Sequence, residues 1–219
     1  LQKELHDVTT AIKIELVDRL AACGLSTIES TSFVSPKWVP RMADNAQVMA
    51  GIARQDGISY PVLTPNMRGY KDALAAGADT VCVFSAASET FSQKNTNCSI
   101  AESLARAEPI VAAAKADGIR ARGYISCALG CPYEGDIEPA AVADLAKALD
   151  AMGCYEISLG DTVGFGTPLQ ARALVETVAE QVPAGRLAAH FHDTYGQALA
   201  NLAAVLECGV AVIDTSLGG

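Results

Sequence analysis

Short runs of apolar, β-branched residues alternate along this chain with longer segments rich in Ala and Leu. The short runs have the length of strands, and the longer segments repeat apolar residues at the spacing of a helix face. In residues 10–23, for example, Ile12, Leu16 and Leu20 share one face, and Gly24 follows as a helix terminator. The pattern therefore predicts a regular succession of strands and helices.

Seven strands and seven helices are predicted in alternation. The predicted strands span residues 27–33, 60–63, 80–85, 120–127, 155–159, 187–192 and 210–216. The predicted helices span residues 10–23, 45–53, 67–76, 100–117, 139–152, 168–182 and 197–208. The polar segment that leads through Asn97 is expected to be a loop.

Each strand with its helix takes about 30 residues, the size of one βα unit, so the strands are expected to be parallel and covered by helices. We predict one α/β domain over residues 1–219, either an open doubly wound sheet or a (β/α)8 TIM barrel. No GxGxxG loop follows the first strand, and polar residues such as Ser85, Ser126, Asp161 and His192 end many strands. This favours the barrel, incomplete because its first strand is missing.

Composition narrows the possible functions. The 219 residues are 50% hydrophobic and carry a net charge of −9, which argues against a nucleic-acid partner because phosphate binding needs clustered Lys and Arg. No apolar run approaches the ~18 residues of a membrane span, so no membrane association is expected. The seven cysteines form no CxxC pair, which favours reduced thiols.

The candidate chemistry is concentrated in the sequence HFHD. Residues two apart on a strand face the same side, so His190 and His192 can present two imidazole nitrogens to one cation. Asp161 ends the preceding strand and is expected beside them, giving a mixed nitrogen and oxygen site for Mg²⁺ or Mn²⁺, with further ligands from elsewhere. The alternative is two buried histidines bonded to nearby backbone.

Three further features suggest a site at the same end of the strands. Glu29 stands in a β-branched strand, where it is either a member of an ion pair or a support for a catalytic cation. Arg122, Tyr124 and Ser126 form a polar stripe that we interpret as facing the substrate, although Arg122 can instead close the barrel floor. The Gly- and Pro-containing loop 127–135 is expected to be flexible and to cover the mouth.

Four stretches carry a resemblance to a known family. They are GLSTIESTSFVSPKWVP at 24–40, RGYISCALGCPYEG at 122–135, YEISLGDTVGFGTP at 155–168 and HFHDTYGQALAN at 190–201. Together they resemble the 3-hydroxy-3-methylglutaryl-CoA (HMG-CoA) lyase family, within the metal-dependent barrel lyases and Claisen-condensing synthases. HxH with GDT is shared by that superfamily, whereas SFVSPKWVPRMAD and SCALGCPYEG point to the lyases.

The resemblance implies a (β/α)8 barrel that cleaves HMG-CoA to acetyl-CoA and acetoacetate, in leucine degradation or ketone-body formation. It implies an acyl-CoA substrate, a divalent cation (Mg²⁺ or Mn²⁺), a homodimer, and a bacterial cytoplasmic or mitochondrial matrix location. By position, the metal ligands are His190 and His192, with His190 also against the reacting centre. The other implied site residues are the carboxylates Asp161 and Glu29 and the substrate contacts Gln2, Ser32, Tyr124 and Ser126. Arg122 is a candidate substrate contact only by its place in the polar stripe.

The chain departs from the family pattern at its two ends. The family's Arg-Asp pair is expected just before Leu1, and its catalytic Cys and Asn ligand just after Gly219. We therefore expect a fragment that is inactive, or nearly so, by itself. Two alternatives stay open: a Claisen-condensing acyltransferase of the isopropylmalate or homocitrate synthase type, and a non-catalytic barrel with structural histidines.

Overall fold

A computed structural model describes residues 7–217. Within that range the helices are α1 Thr10–Ala21, α2 Asn45–Gly51, α3 Met67–Ala75, α4 Glu89–Thr96, α5 Ile100–Ala116, α6 Pro139–Met152, α7 Pro168–Ala179 and α8 Ala198–Leu206. The strands are β1 Thr31–Ser32, β2 Val62–Leu63, β3 Thr80–Ala86, β4 Arg120–Ser126, β5 Glu156–Asp161, β6 Leu187–Phe191 and β7 Val212–Ile213. None of these helices combines the length and apolar character needed to span a membrane.

The sheet keeps the strands in chain order, β1-β2-β3-β4-β5-β6-β7. The pairs β1–β2, β2–β3, β4–β5, β5–β6 and β6–β7 are all parallel. Helices separate the successive strands, as parallel crossovers require. The predicted parallel α/β arrangement is confirmed, and all strand carboxyl ends of a parallel set lie at one edge, where the site was predicted.

The chain divides into two compact units. The first comprises residues up to Val83 together with Ala113–Ala121, and the second comprises Phe84–Ala112 and the chain from Arg122 onwards. In the first unit, Tyr60, Val62 and Val81 are fully buried. The largely buried ammonium of Lys13 on α1 donates to the Asp44 carboxylate at 2.7 Å.

The second unit holds the candidate chemistry and has the more regular packing. Helix α7 packs between α6 and α8. The helices and strands of this unit bury their apolar residues completely, among them Leu149, Leu174, Ile157, Leu159 and Leu187. Because β5 and β6 are covered by these helices, side chains on the opposite face of the strands are left to form the interior of the barrel.

Some predicted boundaries are wrong. The segment expected to be a polar loop before Asn97 contains helix α4. The Ser88 hydroxyl accepts from the Phe91 amide at its start, Glu89 lies in its first turn, and Asn97 ends it in a left-handed conformation, so capping outweighs the polar composition. The first and last predicted strands shrink to two residues each in β1 and β7.

Candidate functional site

The two histidines converge on one point. His190 lies on β6 and His192 follows its last residue, so both project to the same side. Their Nε2 atoms are 3.2 Å apart, and the ring centroids are separated by 5.2 Å. The prediction that the two imidazoles point together is confirmed.

This separation fits a cation. Two nitrogens 3.2 Å apart that each lie about 2.1 Å from a metal ion subtend about 100° at that ion, close to the angle between adjacent ligands. Within residues 7–217 no group of three or more His, Cys, Asp or Glu side chains converges in this way. The described side chains thus offer two nitrogen donors at this point, those of His190 and His192.

The protonation state of His190 suits this role. Burial lowers the pKa of His190, and although Asp214 acts to raise it, His192 and Arg122 lower it further. The pKa of His190 is therefore below the ordinary histidine value, which favours the neutral imidazole. A neutral ring has a free nitrogen lone pair, and a metal ligand needs one.

Asp161 lies elsewhere than predicted. In the β5–β6 register Gly160 is opposite His190 and Asp161 is opposite Phe191, so the Asp161 side chain is on the other face of the sheet from the imidazoles. Its carboxylate is fully buried and accepts from the amides of Gly164 and Gly166, both at 2.9 Å. The expectation that it shares a cation site with the histidines is wrong, because strand alternation turns it away.

Asp161 instead fixes the loop between β5 and α7. Asn201 of α8 supports the same loop by donating to the Gly166 carbonyl at 2.8 Å. Gly164 has φ of +67°, and a Cβ there would lie 2.6–2.8 Å from Thr194 and the His192 carbonyl. The loops that follow β5 and β6 thus touch closely next to His192.

Two exposed aromatic side chains lie on those loops. Phe165 and Tyr195 stack with ring centroids 4.5 Å apart and an angle of 12° between the rings. The Tyr195 amide also donates to the Gly164 carbonyl at 3.3 Å. This stack joins the two loops at their surface.

Arg122 is buried in the interior of the second unit. Its Nε donates to Glu156 at 2.6 Å, and its two terminal nitrogens donate to the Asp214 carboxylate, both at 2.9 Å. One of them also donates to the Tyr124 hydroxyl at 3.1 Å. Burial opposes the charged form, but Asp214, Tyr124 and Glu156 outweigh it and raise the pKa of Arg122. Since every guanidinium nitrogen is engaged, the structure favours an interior ion-pair role over the predicted substrate contact.

Asp214 is a site residue that was not predicted from the sequence. It follows β7, and its amide donates to the Ala189 carbonyl at 2.9 Å, which continues the β6–β7 register and puts it beside His190. The alternation of Val210, Val212 and Asp214 was the available signal, since it puts the carboxylate on the interior side of the strand. The acidic residue whose backbone lies next to His190 on this face is therefore Asp214 rather than Asp161.

The remaining predicted residues are distributed over both units. Tyr124 and Ser126 are half-buried on β4 in the second unit, on the interior face with Arg122. Glu29 and Ser32 belong to the first unit, where Glu29 is exposed. The buried Ser32 Oγ has no hydrogen-bond partner within the described residues, as expected of a group that awaits a ligand. Gln2 lies outside the described residues.

The loop after β4 is not a flexible cover. Its second half, residues 131–135, closes through reciprocal hydrogen bonds between Cys131 and Gly135. The Cys131 thiol donates to the Ser88 hydroxyl at 3.0 Å, and Glu134 accepts from the Thr90 amide at 2.7 Å. These bonds fix the loop to the start of α4. Next to it, burial raises the pKa of Cys127 to about 12, with Cys131 adding to the effect, so this thiol is a poor nucleophile.

Comparison with known proteins agrees with this geometry. The family model described as HMGL-like matches residues 1–219. Hydroxymethylglutaryl-CoA lyase of Rattus norvegicus, a mitochondrial protein, is 57% identical over 219 residues, which are 100% of this chain and 67% of that protein. This chain belongs to the HMG-CoA lyase family.

Solved HMG-CoA lyase structures confirm the barrel class. The crystal structure of the Pseudomonas aeruginosa lyase matches with a TM-score of 0.97 and 56% identity, covering 100% of this chain and 73% of that one. The Acinetobacter baumannii lyase, in complex with coenzyme A and 3-methylmalate, matches with a TM-score of 0.96 and 35% identity, covering 100% and 72%. The seven parallel strands seen here are therefore part of an HMG-CoA lyase barrel.

Proposed function

We propose that this member of the HMG-CoA lyase family cleaves 3-hydroxy-3-methylglutaryl-CoA to acetyl-CoA and acetoacetate. The observation that carries the proposal is the convergence of the two Nε2 atoms at 3.2 Å, within a chain 57% identical over its whole length to a named lyase. The reaction removes the proton of a tertiary hydroxyl and breaks the adjacent carbon–carbon bond. The bonding electrons remain on the thioester fragment as an enolate, which a proton then quenches.

His190 and His192 would hold the divalent cation, Mg²⁺ or Mn²⁺. When bound, such a cation supplies Lewis-acid polarisation of the substrate hydroxyl and carbonyl oxygens. The neutral state of His190, favoured by its lowered pKa, keeps Nε2 available for that purpose. If Nε2 is a ligand, the neutral ring carries its proton on Nδ1, so we assign His190 to cation binding and orientation beside the reacting hydroxyl.

Other residues of the site have distinct proposed roles. Asp161 and its two amide hydrogen bonds hold the loop beside His192, so it acts by positioning rather than by proton transfer. The half-buried hydroxyls of Tyr124 and Ser126 and the unpartnered Oγ of Ser32 are proposed substrate contacts. The A. baumannii lyase holds coenzyme A, which supports an acyl-CoA substrate for this protein.

The direct test is an assay of acetoacetate release from HMG-CoA by the intact protein with Mg²⁺ or Mn²⁺. We expect turnover that is abolished by a chelator and restored by the cation. His190→Ala and His192→Ala should each remove activity and cation binding together. Leu199→Ala, at a highly exposed side chain on α8, is the matched control and should behave like the wild type.

Failure to cleave HMG-CoA under these conditions would contradict the proposal. Incubation with acetyl-CoA and 2-oxo acids covers the condensing alternative, and product formation there would replace the lyase assignment. Unchanged Mn²⁺ affinity in His190→Ala would separately remove the metal role from this residue.

A further inference from the structure

An acidic side chain lies on the same face as the imidazoles without joining them as a ligand. The hydrogen bond from the Asp214 amide to the Ala189 carbonyl continues the β6–β7 register by one residue, which puts Asp214 beside His190. Its carboxylate accepts from the Ser158 hydroxyl at 2.7 Å and from both terminal nitrogens of Arg122 at 2.9 Å. Both oxygens are thus committed to partners on β4 and β5.

Small residues on β5 and β6 leave room for the Asp214 side chain to extend from the end of β7 towards β5. The β5–β6 register pairs Ser158 with Ala188 and Gly160 with His190. Ala188 and Gly160 have no long side chains, so the space beneath His190 is open to the neighbouring carboxylate. The Ser158 hydroxyl on β5 then holds the carboxylate of Asp214, which follows β7 on the other side of β6.

The interior cluster has an excess of negative charge. Arg122 carries one positive charge against the two carboxylates of Glu156 and Asp214, and the three side chains are 5%, 13% and 21% exposed. Both carboxylates bind the Arg122 guanidinium, but the two residues differ in backbone position. The Glu156 backbone is opposite Arg122 and four residues before Gly160 on β5, about 13 Å along the strand from the His190 level, whereas the Asp214 backbone is at that level.

We propose that Asp214 is a positioning residue for the cation site: from a fixed place beside His190 it supplies the negative charge that favours a divalent cation at the two imidazoles. The carboxylate acts through space and through its hydrogen-bonded neighbours, since its oxygens are already bonded to Arg122 and Ser158. This inference rests on the proposed function, because it requires the cation at His190 and His192.

The test compares two variants that remove the same charge from different places. Mn²⁺ affinity of the intact protein is measured by electron paramagnetic resonance for Asp214→Asn and Glu156→Gln. We expect Asp214→Asn to weaken Mn²⁺ binding roughly 10–100-fold, the usual range for an outer-sphere partner, and Glu156→Gln to change it much less. Equal weakening in the two variants, or no weakening in Asp214→Asn, would overturn the proposal.

A kinetic measurement separates this role from simple loss of structure. At saturating Mn²⁺ the turnover number of Asp214→Asn should approach that of the wild type, while the Mn²⁺ concentration for half-maximal rate rises by the same factor as the dissociation constant. A turnover number that excess Mn²⁺ does not restore would count against the proposal.

A milder variant covers the case in which Asp214→Asn does not fold. Ser158→Ala keeps the charge and removes one hydrogen bond that fixes the carboxylate. We expect it to weaken Mn²⁺ binding about threefold, less than the loss of the charge itself, because the carboxylate keeps its hydrogen bonds to Arg122; unchanged affinity would contradict the proposal. Absence of Mn²⁺ binding by the wild type would instead overturn the cation site of the proposed function, and this inference with it.

Discussion

Replacing Arg122 with Met should be one of the most destabilising single changes in the second unit. The side chain is 5% exposed and holds Glu156 at 2.6 Å and Asp214 at 2.9 Å. Met has similar volume but no charge, so the variant leaves two largely buried carboxylates, 13% and 21% exposed, without their shared counter-ion. Removing one partner of a buried ion pair costs about 3–5 kcal/mol because the remaining charge stays desolvated.

That cost is large enough to measure by two methods. For a chain of this size, about 2–4 °C of melting temperature per kcal/mol converts it to a decrease of about 6–20 °C. Urea unfolding monitored by circular dichroism gives the free energy directly, with the slope checked for constancy. The matched control is Arg172→Met, since Arg172 and Glu207 form an ion pair with side chains 37% and 70% exposed. An exposed pair of that kind contributes little to stability, because solvent screens it.

A double variant tests the stated cause. If uncompensated charge is what destabilises Arg122→Met, adding Asp214→Asn should recover part of the loss, because one stranded carboxylate is removed. Additive losses of unfolding free energy in the double variant would refute the reasoning. So would a loss in Arg122→Met that exceeds the loss in Arg172→Met by less than about 1 kcal/mol, the size of one neutral hydrogen bond.

Three further outcomes are expected. Gly164→Ala should destabilise the protein in urea unfolding by at least about 1 kcal/mol, since the residue has φ of +67° and no room for a Cβ; an unchanged midpoint would contradict the close approach. Burial acts to raise the pKa of Asp44, but the hydrogen bond and charge of Lys13 outweigh it, so the net pKa is lowered. The Lys13–Asp44 pair therefore stabilises the fold above the ordinary carboxyl pKa, and this contribution is lost as pH falls through the lowered value. Lys13→Met should therefore show a shallower loss of stability with acid than the wild type. At pH 8 a disulfide reagent should label exposed Cys23 and spare native Cys127, whose buried thiol has a pKa of about 12.

The sequence was sufficient for the histidine pair and insufficient for its acidic neighbour. Alternation within one strand is local, so HxH fixed the direction of both imidazoles. The position of a carboxylate relative to them depends on the register between strands, which a single sequence does not contain. Proximity in the chain predicts Asp161 on the imidazole face, but the β5–β6 register places Gly160 opposite His190. The separate β6–β7 register, continued by one residue, places Asp214 beside His190.

The surroundings of Arg122 show a second limit. A buried arginine on a strand can contact a substrate or bind interior carboxylates, and its partners Glu156 and Asp214 are 34 and 92 residues away in the chain. Helix α4 was missed for the opposite reason, because its local signal from Ser88 and Glu89 was present but was outweighed by the polar composition. Neither error affected the predicted alternation of strands and helices, because that pattern is repeated along the whole chain.

The contact between the two loops has a thermodynamic consequence for His192. This residue lies just past the end of β6, and its amide donates to the Asp161 carbonyl while its own carbonyl lies against Gly164. A terminal residue held from both sides loses its conformational entropy during folding, before any ion arrives. The cation binding that we propose at the nitrogen pair would therefore start from an ordered site, and less binding free energy would be lost in ordering it.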